Sequence, residues 1–105
     1  MLYLLKMKTF ENYRGEVIFL HPDTLEHIQD MHSEIDLLMI SKTLKDPDEV
    51  RWSKQKEDSQ LYYLLRTQTR YTCIVVKICE DGHFISTALT TNKPKIGNIY
   101  YQRGD

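Results

Sequence analysis

Of the side chains able to move a proton, attack a bond or hold a phosphate, the chain has four histidines, two cysteines and 14 lysines and arginines. Two of the histidines fall in one stretch, LEHIQDMHSEID, from Leu25 to Asp36. On a helical wheel of about 100° per residue, His32 lands among Leu25, Ile28 and Ile35 and His27 about 140° away. His32 is then either a core histidine hydrogen-bonded to a backbone carbonyl or a ring that leaves the helical layer to face a cleft. His27 reads as solvent-facing. His21 is expected to cap or border the first helix, and His83, in EDGH, to sit in a turn.

Metal and thiol chemistry are poorly served. His27 and His32 are five residues apart, whereas four would bring two rings to one helix face, and no H-E-x-x-H glutamate accompanies them. Cys73 and Cys79 share one predicted strand, YTCIVVKIC. Their Cα atoms are then about 20 Å apart, far beyond disulfide reach. Buried mid-strand thiols stay protonated and inert, and two free thiols suit a reducing compartment. G-x-G-x-x-G, P-loop and G-x-S-x-G patterns are absent, so no cofactor or metal is expected.

Polar residues in apolar surroundings remain. Lys77 interrupts CIVVKIC, the most apolar strand of the chain. An unpaired ammonium is costly to bury, so Lys77 faces a cleft or snorkels past the strand end. Thr87 in FISTALTT shares a face with Ile85 and Leu89 if alternation holds, although threonine is common in strands anyway. In LYYLLR, Tyr62 and Arg66 fall on one face and Tyr63 on the other. An aromatic ring beside a guanidinium suits stacking a base and holding a phosphate; it is equally an ordinary amphipathic strand face.

The elements that would carry these residues follow from periodicity. GEVIFL reads as a strand, and HPD breaks it, with Pro22 suited to a helix's first turn. Leu25, Ile28 and Met31 mark a helix from Thr24 to about His32. S-x-x-D from Ser33 to Asp36 looks like the cap of a second helix, with Ile35, Leu38, Met39 and Lys42 along one side, and DPD at 46–48 stops it. Strands follow at EVRWS, LYYLLRT, YTCIVVKIC and FISTALTT, with NIYYQ as a possible edge, and YTCIVVKIC reads as central and covered on both faces. The fold class is α+β: an N-terminal strand and two helices packed on an antiparallel β-meander of about four to five strands.

At 105 residues, with 41% hydrophobic and 28% charged residues, residues 1–105 are expected to form one domain. The net charge of −1 disfavours broad nonspecific nucleic-acid binding, so a polyanion must meet a local patch. MLYLLKMKTF is too short and too often interrupted by lysine for a leader or a membrane span. A cytoplasmic protein is the expectation.

The ordered string HIQDMHSEI, TLKDPDEV, LYYLLR, RYTCIVVKI, FISTALTT and K-x-G resembles a family of small phage and bacterial domains with the barnase–EndoU–RelE-like nuclease fold, the BECR fold. The family pattern runs His-Ile-x-x-x-His-Pro-Glu, TL-x-x-P-x-x-V, a tyrosine pair, VVVK, TAY-x-T and K-x-G. It falls here on His27, Ile28 and His32, on Thr43, Leu44, Pro47 and Val50, on Tyr62 and Tyr63, on Val75 to Lys77, on Thr87, Ala88 and Thr91, and on Lys95 and Gly97. The match spans residues 15–100 and leaves residues 1–14 outside. Ser33 stands where the family has proline, and Leu89 where it has tyrosine.

The resemblance implies a metal-independent endoribonuclease, toxin- or phage-effector-like. It would cleave single-stranded RNA by 2′-OH attack and leave a 2′,3′-cyclic phosphate. That chemistry needs a base, an acid and cations on the crowded phosphate. The implied roles are His32 and His27 as acid and base, Lys77 and Arg66 on the phosphate, and Thr87 as a positioning donor. Tyr62 or Tyr63 would stack on a base, with Thr91 and Lys95 as further substrate contacts. An antitoxin or immunity protein is the implied partner, and the molecule is expected to be a monomer or a small homo-oligomer. The competing reading is a non-catalytic RNA- or protein-binding module of the same fold, favoured by the near-neutral charge and by Leu89.

Overall fold

A computed structural model describes residues 7–92 and 97–104. Strand β1 (Lys8–Glu11) and strand β2 (Val17–Leu20) form an antiparallel hairpin with Phe10 opposite Ile18. Its turn is built by Asn12, whose Oδ1 accepts from the backbone N–H groups of Arg14 and Glu16 at 3.0 and 2.8 Å. Gly15 supplies the left-handed residue there, at φ 80°. Helix α1 (Pro22–Met31) opens as its sequence predicts: Pro22 stands in the first turn, and His21 is the N-cap, its Nδ1 accepting from the Asp23 N–H at 3.0 Å.

Both helix ends around residue 33 differ from expectation. Helix α1 closes at Met31, and His32 is its C-cap at φ −140°, ψ 58°. Helix α2 (Leu37–Lys45) begins three residues beyond Ser33, because Asp36 is itself the cap and its Oδ1 accepts from the Met39 N–H at 2.9 Å. The Asp36 carboxylate, satisfying an orphan amide of the first turn, sets the start. This turns the helix: Ile40, Thr43 and Leu44 are buried, while Leu38, expected on the apolar side, is 66% exposed.

The chain then becomes sheet: β3 (Glu49–Ser53), β4 (Ser59–Leu65), β5 (Tyr71–Cys79), β6 (Gly82–Thr91) and β7 (Gly97–Gln102). All seven strands join one sheet in the order β1-β2-β6-β5-β4-β3-β7. The α+β class and the β3-to-β6 meander stand as expected, with β5 in the middle. The strand count of four to five is too low: the short β1 hairpins with β2, and β7 adds to β3. One pairing, β2 with β6, is parallel, since the two helices cross over between the meander and the N-terminal hairpin.

Both helices lie on one face of the sheet. Beneath them Ile18, Ile28, Leu44, Tyr62, Ile74 and Val76 form a sealed core, each fully buried aliphatic side chain contributing about 1.5–3 kcal/mol. The other face carries a smaller cluster of Leu61, Tyr63 and Cys73 with Val75 and Leu89 at its margin, so β5 is helix-covered on one face only. A bulge decides which residues face which way. Val75 pairs with Thr87 but Val76 pairs with Ile85, leaving Ser86 over. Ile85 therefore joins the helix side while Thr87 and Leu89 face away, whereas simple alternation would have put all three together.

Gly82 closes the β5–β6 turn at φ 141°, and a Cβ there would lie 3.3 Å from the Phe19 ring. Cys73 is buried as expected, but Cys79, at the strand end, is exposed. A thiol reagent is expected to label Cys79 in the native protein and Cys73 only on unfolding; equal labelling rates would contradict this arrangement. Among the described residues no helix is long and apolar enough to cross a membrane.

Candidate active site

The C-terminal end of α1 faces the sheet end where β4 runs out and β6 finishes. Because α1 stops at Met31, the chain turns sharply: the His32 N–H donates to the Ile28 carbonyl at 2.7 Å and the His32 carbonyl accepts from Ile35 at 2.9 Å. This turn presents Glu34 to the last residues of β6, where Thr90 Oγ1 donates to Glu34 Oε2 at 2.9 Å. From the far side the β4–β5 turn brings up Arg66 and Arg70. It is held closed by the Arg66 N–H donating to the Arg70 carbonyl at 2.8 Å. Glu34, Arg66, Thr67, Arg70 and Thr90 line an open cleft of about 380 Å³.

The electrostatics agree with the geometry. The Glu34 carboxyl is held below the ordinary glutamate value of 4.5, first by a hydrogen bond from its own backbone N–H and then by the Thr90 hydroxyl. The charges of His32 and Arg66 lower it further. Desolvation opposes these groups, but the net direction favours the carboxylate, the form able to accept a proton. Among the described residues Arg66 and Arg70 form no ion pair, which leaves both guanidinium groups available to an anion. An acceptor, a histidine beside it and two free cations are the parts that general acid–base attack on a phosphodiester requires.

The structure divides the sequence-predicted residues between the two sheet faces. His32 is half-buried, and among the described residues its ring nitrogens have no partner, so the ring is not spent on main-chain carbonyls. Arg66 lines the cleft, whereas His32 is not among its lining residues and bears on it through its charge on Glu34. Lys77 and Thr87 lie elsewhere: both side chains leave the helix-free face, because their neighbours along the strands, Val76 and Ala88, face the helices, and Thr87 is paired with Val75 of the other face. Lys77 is exposed and stands 3.9 Å from Asp58. Thr87 lines a separate hollow of about 520 Å³ with Leu61, Val75, Leu89 and the β3–β4 hairpin. The expected convergence of His32, Lys77 and Thr87 is therefore not formed.

Tyr62 and Tyr63 are 1% and 0% exposed, so neither ring can take a base, and burial raises the Tyr62 phenol. Arg66 lies beyond the end of β4, not on a strand face with Tyr62. His27 is exposed on α1 and is not among the residues lining the cleft. Thr91 reaches the same sheet end opposite Tyr71, but it is Thr90 that bonds Glu34. His83 lies in β6 opposite Ile78 rather than in a turn. Lys95 falls outside the described residues. Among the described residues no three His, Cys, Asp or Glu side chains gather as a metal site.

Sequence reasoning misses Glu34, Arg70 and Thr90. Glu34 does have a signal, since it occupies the last position of the His-Ile-x-x-x-His-Pro-Glu pattern. Arg70 and Thr90 have none, because a turn arginine and a strand threonine are unremarkable until the turn and the strand meet the same carboxylate. Compared with known proteins, the chain matches a family model described as phage-Barnase-EndoU-ColicinE5/D-RelE like nuclease2 over residues 4–103. The match takes in the β1–β2 hairpin, part of which the motif string leaves out. No curated protein and no solved structure matches.

Proposed function

For a chain that belongs to the phage Barnase-EndoU-ColicinE5/D-RelE-like nuclease family, we propose that the activity is metal-independent cleavage of single-stranded RNA at the Glu34 cleft. The observation that carries this reading is one carboxylate, its pKa lowered by its own backbone N–H and then by its bond from Thr90, in a cleft lined by Arg66 and Arg70. A ribose 2′-OH placed against Glu34 loses its proton to the carboxylate as the 2′-oxygen attacks phosphorus. The P–O5′ bond breaks, and the His32 imidazolium gives its proton to the departing O5′. Arg66 and Arg70 hold the non-bridging oxygens as charge gathers there. A 2′,3′-cyclic phosphate and a 5′-hydroxyl result, with protons and electrons in balance. A toxin- or effector-like role, with a neutralising protein partner, belongs to the same proposal.

The test is the purified protein on single-stranded RNA in EDTA. Cleavage leaving a cyclic phosphate is expected, and His32→Gln is expected to slow it about 10²-fold or more without changing the melting temperature. No cleavage, or cleavage abolished by EDTA, would refute the proposal.

The acid limb of kcat/KM provides an independent check. Glu34 must be deprotonated to act, and its value is lowered, so the limb is expected below 4.5. Thr90→Val removes one of the hydrogen bonds that lower it, so the limb should move to higher pH. A limb that stays in place, or moves down, would dissociate Glu34 from the rate.

A further inference from the structure

The sheet end that carries the cleft holds more cationic charge than a net charge of −1 suggests. Beside the cleft a second hollow of about 470 Å³ is framed by Lys42, Lys45 and Arg103 and floored by Leu64 and Leu65. Arg66 follows Leu65 directly, so the two hollows share one stretch of backbone, with roughly 7 Å of extended chain from Leu64 to Arg66.

The acids nearby are largely neutralised. Arg103 reaches Asp46 at 3.2 Å and Asp48 at 3.6 Å. Asp48 also accepts from the Leu65 N–H at 2.6 Å, which fixes the backbone between the hollows. Lys45 meets Glu11 at 3.2 Å, but that pair is exposed on both sides and is worth little to folding. Among the described residues Lys42 has no ion pair. Lys42 and Lys45 also complement the C-terminal dipole of α2. The dipole explains their place in the last turn, but not why both border the leucine floor beside the Arg66 cleft.

We infer that the Lys42–Lys45 hollow is a second phosphate subsite for the same RNA strand. The strand leaves the Arg66–Arg70 cleft and passes over Leu65, whose side chain, 45% exposed, covers one face of a base. It then sets a neighbouring phosphate between the two lysines. An apolar step between two cationic hollows suits unpaired bases, because it can meet a base face but gains nothing against a duplex backbone. This subsite rests on the reading of the cleft as a ribonuclease site.

The experiment is binding of a labelled oligouridylate of about eight nucleotides, 2′-O-methylated so that it cannot be cleaved, to the full chain across a series of salt concentrations. For single strands each phosphate contact contributes about −0.7 to the slope of log K against log salt. Lys42→Gln is therefore expected to make the slope shallower by about 0.7, and Lys42→Gln with Lys45→Gln by about twice that. Lys54→Gln, the same loss of charge on the hairpin at the opposite end of the sheet, is expected to leave the slope unchanged.

An unaltered slope in the Lys42 variant, an equal change in the Lys54 variant, or a parent that does not bind would each overturn the subsite. Cleavage of unmodified RNA is assayed separately. A parent that cleaves while its slope ignores Lys42 loses the subsite alone. A parent that binds through Lys42 yet never cleaves loses the nuclease reading alone.

Discussion

Glu34→Gln is expected to lower the rate of RNA cleavage about 10²–10⁴-fold, the range a positioned proton acceptor supplies. The substitution keeps the shape of the side chain and an oxygen able to accept from Thr90 Oγ1, which now bonds Glu34 at 2.9 Å. What it removes is the basic electron pair and the negative charge beside His32 and Arg66. Glu34 is exposed, so little folding energy depends on its charge, and the melting temperature should hardly move. Substrate binding should strengthen slightly, because a carboxylate no longer repels the phosphate. Single-turnover cleavage together with a thermal melt measures both quantities. Retention of more than about a tenth of the parent rate, a loss below the general-base range, would remove Glu34 from the chemistry. The proton acceptor would then have to be sought elsewhere on the fold.

The second large effect concerns stability and the β1–β2 turn. Asn12→Ala is expected to cost about 3 kcal/mol. Asn12 is 1% exposed and uses its whole side chain. Nδ2 donates to Glu16 Oε1 at 2.9 Å and to the Tyr62 hydroxyl at 3.0 Å. Oδ1 accepts two backbone N–H groups of the β1–β2 turn. Alanine strands the buried Tyr62 oxygen and unties the hairpin from the core together. Tyr13, next in the chain, would loosen with it: its N–H donates to the Leu44 carbonyl at 2.9 Å, and its ring packs 6.0 Å from that of Tyr62. Urea unfolding should show a lower midpoint with an unchanged slope. A loss under about 1 kcal/mol, the net worth of a single ordinary hydrogen bond, would mean that the hairpin is held by its strand pairing alone.

Residues whose signal is local were legible. YTCIVVKIC reads as a central strand because its apolar run lacks full alternation, and β5 occupies Tyr71–Cys79 at the middle of the sheet, although helices cover one of its faces and not both. His21 reads as capping or bordering the first helix, and its ring accepts from the Asp23 amide. The relation between His32 and Thr87 was illegible for two local reasons that compound. Alternation along FISTALTT assumes an unbroken ladder, and the bulge at Ser86 turns Thr87 and Leu89 away from Ile85. The helical wheel assumes that α1 continues, and the chain leaves the helix at His32.

What the residues determine unaided is the menu of elements, because side-chain periodicity and capping act within a few positions of each other; the face an element buries also depends on the bulge at Ser86 and on where α2 starts. They also determine that a histidine ends α1 and that Glu34 follows it. Which groups meet is decided by tertiary structure. Glu34 and Thr90 are 56 residues apart, and no spacing rule links a loop carboxylate to a strand hydroxyl or to a guanidinium in a third turn. Their meeting depends on α1 crossing β6 at one end of the sheet and on the twist and register of the strands beneath it. Those are set by the packing of the entire core, so the cleft exists only once the whole chain has folded.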